Sequence, residues 1–312
     1  MNFKYTLDDK RYHTFNYYLK TKYKQKIAKI SLNADFTCPN RDGTSGIGGC
    51  LFCSDSGSGD FAGDPKDSLQ LQFDKVSQMM KRKWPDCKYI AYFQANSNTY
   101  GSIKKLKETF EPFVNKKDVV GIDIATRPDC LNDEIIEYLA DLNQRTDLWI
   151  ELGLQTIHEE SAQWFNRGYS LSVFEKALHQ LREHNISVCV HIINGLPVET
   201  SEMMLQTVEY LAKQDIQGIK IHMLYALKNS RIARYMETHQ IDFMEREAYI
   251  DLVVRQLELL PPHVVVQRLT GDGKQDELYG PLWSIKKVTI LNDITKRMKA
   301  LDTYQGQRYP RS

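Results

Sequence analysis

Three cysteines that could bind iron lie in one glycine-rich loop, which reads CPNRDGTSGIGGCLFC from Cys38 to Cys53. Two residues separate Cys50 from Cys53, and eleven separate Cys38 from Cys50. Three thiolates can hold three irons of a [4Fe–4S] cluster and leave the fourth iron open to a substrate or cofactor. A loop around a cluster needs positive φ angles and close backbone approach, which glycine permits. The loop therefore predicts an open iron–sulfur site. Glycine occupies four of its positions, Gly43, Gly46, Gly48 and Gly49.

Structural zinc is the main alternative use of these cysteines, because a C-x-x-C pair is also a zinc signature. Zinc normally takes four ligands, however, and no second C-x-x-C or C-x-x-H pair follows. A disulfide is disfavoured, because the first residues, MNFKYTLDDKRYH, lack the apolar stretch of a secretion signal. No apolar run approaches membrane-spanning length. We therefore expect a cytoplasmic protein without membrane contact, in which thiolates and iron–sulfur clusters survive.

The charges are unevenly distributed, although the net charge is only +1. Residues 1–34 contain eight Lys or Arg and two Asp, a net charge of +6. Residues 281–312 contain seven Lys or Arg and two Asp, a net charge of +5. The residues between these two segments therefore have a net charge of −10. Basic ends on an acidic body favour an anionic partner, although a solvated lysine face would have the same composition. The 312 residues, 42% apolar and 26% charged, are otherwise ordinary for a globular protein.

A strand–helix repeat must position the cysteine loop. Short runs rich in Val, Ile, Leu and Tyr alternate with amphipathic stretches at roughly thirty-residue spacing, which predicts parallel βα units with buried strands. One of the helices is expected to begin after Asn132, a residue type that caps helices. Six strands are predicted, at Lys26–Asn33, Tyr89–Gln94, Val119–Thr126, Leu148–Gln155, Ile186–Ile193 and Gly218–Leu224. The cysteine loop leaves the carboxyl end of the first strand, where α/β folds place their sites.

The rest of the chain is expected to pack on this barrel. It contains a predicted helix at 245–260, a short strand at Val264–Leu269 and a basic helix from Trp283 to about Leu301. We divide the chain into a basic and aromatic N-terminal segment, an open six-stranded α/β barrel and a C-terminal α/β extension. Their bounds are residues 1–25, 26–228 and 229–312.

The cysteine loop on a βα chain resembles the radical S-adenosylmethionine (SAM) superfamily, although its spacing is wider than the common C-x-x-x-C-x-x-C. CPNRDG and GGC resemble the YtqA/YhcC (MnmL-like) branch, whose members carry this wide-spaced loop. The resemblance extends over nearly the whole chain. It continues in TRPD at Thr126–Asp129, ELGLQT at Glu151–Thr156, GLPVET at Gly195–Thr200 and RLTGDG at Arg268–Gly273.

The resemblance implies a partial (βα)6 radical-SAM-type barrel with a C-terminal α/β extension. It implies a [4Fe–4S] cluster on Cys38, Cys50 and Cys53, with SAM chelating the fourth iron. One electron, from a donor such as flavodoxin or ferredoxin, would then split SAM and release a 5′-deoxyadenosyl radical. That radical would abstract hydrogen from the substrate.

The resemblance also suggests which residues bind SAM. Gln94, Ala95 and Asn96 occupy the strand end where related enzymes have a Gly-Gly-Glu type sequence that receives the methionine amino group. Glu151 and Gln155 share one face of the fourth strand. Because a buried charge is costly unless it binds something, we expect both to contact SAM or substrate rather than to form a structural pair.

Five further polar positions are weaker candidates. Arg127 follows the third strand and could pair with a carboxylate. His191 ends the fifth strand beside Asn194, although a lone histidine there is more often a core residue. The turn from Gly195 to Glu199 is expected under the adenine of SAM, and Arg268 and Asp272 are expected to close the site. Gly271 and Gly273 could simply form a turn.

The branch resemblance suggests a tRNA substrate. It implies action on carboxymethylaminomethyl uridine at the wobble position, which would become aminomethyl uridine. The basic ends agree with an RNA partner. The N-terminal aromatic residues could stack on bases, or could anchor a helix to the barrel. Two alternatives remain at this point, a radical SAM enzyme for a small molecule such as a porphyrin, and a zinc-stabilised RNA-binding protein without catalysis.

Overall fold

Seven parallel strands form the central sheet of the computed structural model, which describes residues 3–6, 8–54, 56–57, 59, 61–228, 230–271, 273 and 275–310. The strand order is β1-β2-β3-β4-β5-β6-β8. The strands are β1 Ile27–Leu32, β2 Lys88–Phe93, β3 Val119–Thr126, β4 Asp147–Gln155, β5 Ser187–Asn194, β6 Gly218–Met223 and β8 Val265–Arg268. A separate antiparallel pair is formed by β7 Ala226–Leu227 and β9 Leu278–Gly280.

The sheet curls into a half-barrel, and helices cover its outer face. Lys29 Nζ on β1 lies 2.9 Å from Gln267 Oε1 on β8, so the first and last strands meet across the interior. The helices are α1 Phe15–Tyr23, α2 Leu69–Lys83, α3 Ile103–Val114, α4 Asp133–Arg145, α5 Glu159–Trp164, α6 Leu171–Glu183, α7 Ser201–Ala212, α8 Arg231–Met236, α9 Arg246–Leu259 and α10 Lys287–Ala300. Short 3₁₀ helices cover Pro128–Cys130 and Leu282–Ile285.

The amphipathic helices form where the sequence predicts them, because each buries one apolar stripe on the sheet. In α4, the side chain of Asn132 accepts a hydrogen bond from the amide of Ile135 at 2.9 Å, which confirms the predicted N-cap. α9 lies within the predicted range 245–260, and α10 within the predicted basic helix, of which the first turn is 3₁₀.

The barrel has one more strand than the six predicted. The segment predicted as a short strand at Val264–Leu269 is β8, and it pairs in parallel with β6. Pro261 and Pro262 separate it from α9 without preventing this pairing, because both precede the ladder. The C-terminal extension therefore contributes directly to the sheet, while the predicted domain bounds stay predictions.

The N-terminal segment closes the amino end of the barrel. Val266 of β8 donates its amide to the carbonyl of His13 at 2.8 Å, and α1 then crosses below the strands. Phe15 and Tyr18 pack edge-on against Trp149, near the start of β4. These N-terminal aromatic rings therefore anchor the helix, which is the second of the two roles considered for them.

Candidate active site

A cavity of about 320 Å³ opens at the carboxyl ends of the barrel strands. Cys38, Cys50 and Cys53 all line it, so the structure brings the three predicted iron ligands to one space. All six predicted SAM-contacting residues line it as well, and five of them lie on or directly after strands β2 to β5: Gln94, Arg127, Glu151, Gln155 and His191. The sixth, Asn96, also borders the cavity.

The surroundings of the cysteines are rich in hydrogen-bond donors. Asn40 Nδ2 lies 3.5 Å from Cys50 Sγ, and a guanidinium nitrogen of Arg127 lies 4.0 Å from the same sulfur. Contact with Cys53 and burial raise the pKa of the Cys50 thiol, whereas Arg127 and Asn40 act to lower it. Burial raises the pKa of Cys38, again opposed by Arg127. Donors and a cation facing the sulfurs suit thiolates that bind metal.

Asn40, within CPNRDG, holds the loop together and was not singled out by the sequence analysis. The side chain of Asn40 is fully buried, and its Nδ2 donates to the backbone carbonyl of Asn166 at 2.6 Å. The backbone carbonyl of Asn40 accepts from the backbone amide of Gly49 at 2.7 Å. A Cβ at Gly46 would lie 2.2 Å from Asn40 Oδ1. Gly46 therefore allows close approach, whereas Gly43, Gly48 and Gly49 have positive φ angles.

The end of β2 has the backbone shape of a glycine pair. Ala95 and Asn96 have φ angles of 86° and 58°, which non-glycine residues rarely adopt. Asn96 is fixed by its amide, which donates to the carbonyl of Gly57 at 2.8 Å, and by its side chain, which donates to that of Phe36 at 3.0 Å. The strand end thus reproduces the conformation of a Gly-Gly sequence without the glycines.

Arg127 joins the cysteine loop to the barrel. Its guanidinium pairs with Asp129 at 2.9 and 2.6 Å, donates to the carbonyl of Arg167 at 2.9 Å and lies over the ring of Tyr169. Asp129 thus binds Arg127 in addition to lying in the 3₁₀ turn. Arg167 is almost fully buried and donates to the carbonyls of Leu154 and Thr156, so it fixes the end of β4.

Glu151 is the centre of a buried polar network on the cavity floor. Its Oε2 accepts hydrogen bonds from Tyr92 at 2.7 Å and Lys220 at 2.5 Å, and lies 2.8 Å from His191 Nε2. Its Oε1 accepts from Lys29 at 2.8 Å, and Lys29 also pairs with Asp123. The protein's own donors therefore satisfy Glu151, and its contact with SAM or substrate stays a prediction.

The charges of this network shift the pKa values of its members. Burial acts to raise the pKa of Glu151, but Lys220 and Lys29 together lower it well below its ordinary value. Burial, and then Glu151, raise the pKa of Asp123 to about 7. Burial lowers the pKa of Lys220 to about 8, and burial also lowers the pKa of His191. The floor thus contains one carboxylate with a strongly lowered pKa, and two groups, Asp123 and Lys220, with pKa values of about 7 and 8.

Gln155 ends β4 with a φ of 71°, where the pairing with β5 is irregular. A Cβ at Gly153 would lie 2.9 Å from Gln155 Nε2, so the glycine makes room for the amide above the cavity floor. Both residues line the cavity. The predicted shared face of β4 is therefore present at the cavity.

Of the two predicted late polar positions, the structure describes one. Arg268 lines the cavity, while Asp272 lies outside the described residues. Gly271 and Gly273 approach the ring of Tyr225, another lining residue, and would place a Cβ 2.9 and 3.1 Å from it. The turn after β5 begins at Gly195 with a φ of 83°, and its position under the adenine stays a prediction.

Asn194 belongs to the core. Its amide exchanges two hydrogen bonds with that of Gln256, at 2.8 and 2.9 Å, which ties β5 to α9. The sequence analysis also missed the network residues Lys29, Tyr92, Asp123 and Lys220. A charged residue inside an apolar strand run, as in IAKISL and GIKIHM, was the available signal for two of them.

Within the described residues, no three His, Cys, Asp or Glu side chains, the three cysteines included, converge closely enough to hold a single metal ion. The cysteines therefore share the cavity without meeting at one point. In the part of the chain that the structure describes, no helix is both long and apolar enough to cross a bilayer.

Comparisons with known proteins agree with this geometry. The family model described as "Radical SAM superfamily" matches residues 38–211. The model described as "Radical_SAM C-terminal domain" matches residues 216–300. The uncharacterised protein YtqA of Bacillus subtilis is 47% identical over 99% of this chain and 96% of its own length. YhcC of Escherichia coli K12 is 32% identical over 89% of each chain.

Solved structures share the fold at low sequence identity. The archaeal Elp3 of Methanocaldococcus infernus superposes with a TM-score of 0.68 at 17% identity, over 90% of this chain and 64% of its own. The coproporphyrinogen III oxidase HemN of Escherichia coli superposes with a TM-score of 0.50 at 14% identity, over 73% of this chain and 51% of its own. This chain thus spans less than two thirds of either protein. The seven-stranded half-barrel is the shared feature.

Proposed function

We propose that this chain, which belongs to the radical SAM superfamily, is a tRNA-modifying enzyme that converts carboxymethylaminomethyl uridine at the wobble position to aminomethyl uridine. The carboxymethyl group would leave as glyoxylate, with water supplying the aldehyde oxygen and SAM taking up the two reducing equivalents. A [4Fe–4S] cluster and SAM are the cofactors of the family. Membership of the family therefore argues against structural zinc as the use of these cysteines. When bound, the cluster supplies the electron for the reductive cleavage of SAM.

One observation carries the proposal. The three cysteines and the polar groups from β2, β4, β5, β6 and β8 line the same cavity. Cys38, Cys50 and Cys53 would hold the cluster, with Arg127 beside the sulfur of Cys50. The strand end at Ala95 and Asn96, which has positive φ angles and borders the cavity, would face the methionine part of SAM. The remaining wall, on β5, β6 and β8, would face the substrate.

The nature of that wall supports an anionic substrate side chain. His191, Lys220 and Arg268 stand on it, and the carboxymethylamino group ends in a carboxylate. The resemblance to the MnmL-like branch supports tRNA as the carrier of that group. α10 adds exposed lysines beside the cavity, since Lys287 Nζ lies 5.9 Å from the ring centre of Phe61, a lining residue. An electron donor such as flavodoxin or ferredoxin is part of the proposal.

A reconstituted reaction tests the proposal. Protein with its cluster, SAM and a reductant would be incubated with tRNA that carries carboxymethylaminomethyl uridine, and the nucleosides would be separated by mass. We expect aminomethyl uridine and 5′-deoxyadenosine to form together, and neither to form with the Cys50→Ala variant. Formation of 5′-deoxyadenosine with unchanged tRNA would contradict the substrate and favour a small molecule such as a porphyrin.

A further inference from the structure

Basic side chains of three neighbouring strands lie side by side on the inner face of the barrel. The pairing register aligns His191 of β5 with Lys220 of β6, and Lys220 with Arg268 of β8. His222 lies two residues beyond Lys220 and therefore on the same face, with its ring centre 5.1 Å from that of His191. All four residues line the cavity.

An irregularity in β8 turns Arg268 toward the cavity. The register with β6 shifts between Ile219 and Lys220, so Gln267 is an extra residue in the ladder. Gln267 reaches inward to Lys29, and the next residue, Arg268, still borders the cavity. Bulges of this kind re-aim side chains. Without the extra residue, Gln267 and Arg268 would point to opposite faces.

The nearby carboxylates are already committed to other partners. Glu151 accepts from Tyr92, Lys220 and Lys29, and Asp123 pairs with Lys29. The side chain of Arg268 forms no hydrogen bond or ion pair with the described residues, and the buried Nε2 of His222 also lacks a partner among them. A partly buried cation without a counter-ion is costly, so this wall is suited to an anion.

We infer that Arg268, together with Lys220 and His222, forms a subsite for the carboxylate of the substrate. The inference rests on the proposed function, in which the substrate side chain ends in a carboxylate. A guanidinium binds a carboxylate through two parallel hydrogen bonds and is weakly hydrated, which suits a half-buried position. SAM also carries a carboxylate and is the other source of the same chemistry.

A binding experiment with small probes tests the subsite without tRNA. N-methylglycine carries the carboxylate of the side chain, and N-methylglycinamide keeps the amine but lacks that carboxylate. We expect N-methylglycine to raise the melting temperature of the SAM-loaded holoenzyme, and the amide to have no such effect. The acid should bind Arg268→Gln about tenfold more weakly, and Arg268→Lys should keep part of the affinity. The matched control is Arg255→Gln, which changes an exposed arginine of α9.

Equal effects of acid and amide, or an undiminished effect in Arg268→Gln, would overturn the subsite. Calorimetric titration of SAM separates the two carboxylates. A loss of SAM affinity as large as the loss of N-methylglycine affinity would assign Arg268 to SAM and overturn the inference. The nucleoside assay tests the proposed function separately. If wild-type protein leaves tRNA unchanged while the binding of N-methylglycine still depends on Arg268, the proposed function fails and the carboxylate subsite stands.

Discussion

Lys220 and Glu151 form an ion pair in the interior of the barrel, with Nζ 2.5 Å from Oε2. They lie on β6 and β4, so the pair spans the intervening strand β5, which adds His191 to the same oxygen. Lys29 binds the other oxygen of Glu151 from β1. The carboxylate of Glu151 on β4 therefore binds side chains from β1, β5 and β6 at the floor of the cavity, and its removal would leave Lys29 and Lys220 without that negative charge.

Replacing Glu151 with Gln is expected to destabilise the protein. Removing one partner of a buried ion pair costs about 3–5 kcal/mol, and the melting temperature should fall by on the order of 10 °C. The lowered pKa of Glu151 means that its contribution is complete above the pKa of the unfolded chain, near 4.5, and is lost as the pH falls through the folded value. The difference in melting temperature between variant and wild type should therefore stay constant from pH 7 down to about 5, and should shrink only as the pH is lowered below about 4.5.

The matched control is Glu202→Gln, which breaks the exposed pair with Arg255. Exposed ion pairs contribute little to stability, so this variant should have the same melting temperature as the wild type at each pH. A Glu151→Gln protein as stable as Glu202→Gln at pH 7 would show that the network does not stabilise the barrel.

The βα pattern and the cysteine loop could be predicted from the sequence because they depend on local signals. Apolar runs give the strands, and Asn132 caps α4 through a contact three residues away. The loop carries its three thiols within sixteen residues, so their proximity follows from the spacing.

The polar floor was only partly predictable, because its partners come from strands far apart in the chain. Glu151 stands out in β4, but nothing near it in sequence shows that Lys29 and Lys220 satisfy it. The seventh strand was predicted as an element but not placed in the sheet, since pairing between β6 and β8 skips β7 and two helices. Likewise the inward turn of Arg268 depends on an extra residue in the pairing with β6, which composition does not reveal.

Replacing Ala95 with Gly is expected to stabilise the protein. The left-handed conformation costs a residue with a Cβ about 1 kcal/mol, so the melting temperature should rise by about 2–4 °C. Ala91→Gly is the matched control, because the same change in the interior of β2 relieves no positive φ and should destabilise. If both variants lose stability equally, the positive φ at Ala95 is not strained. Calorimetry of both proteins measures the difference.

Charge reversal of Lys286 and Lys287 is expected to weaken tRNA binding. Both are exposed at the start of α10, beside the cavity, whereas the α1 lysines lie at the opposite end of the barrel. Each lost phosphate contact should reduce the slope of log affinity against log salt by about 0.7–0.9. Filter binding across a salt series measures this slope.

The control for this prediction reverses Lys20 and Lys24. Lys22 is left intact because it pairs with Asp147 at 2.6 Å. We expect a smaller loss of affinity than with Lys286 and Lys287. A larger loss from the α1 pair would place the RNA at the amino end of the barrel.

Removing the three cysteines is expected to abolish iron binding. Anaerobic reconstitution should give about four irons per wild-type chain. It should give none in the Cys38→Ala, Cys50→Ala, Cys53→Ala variant. Cys189→Ala is the matched control, since this thiol is fully buried and packs with Trp149 and Val265 on the amino side of the barrel. Full iron loading of the triple variant would contradict the assignment of these ligands.

Mass spectrometry of tRNA nucleosides from cells with and without the gene tests the proposed function most directly. The account predicts that carboxymethylaminomethyl uridine accumulates and aminomethyl uridine declines when the gene is deleted. Wild-type protein should restore the balance, and the Cys50→Ala variant should not. Identical nucleoside profiles in both strains, with the protein expressed and loaded with iron in the wild type, would contradict a role in this modification.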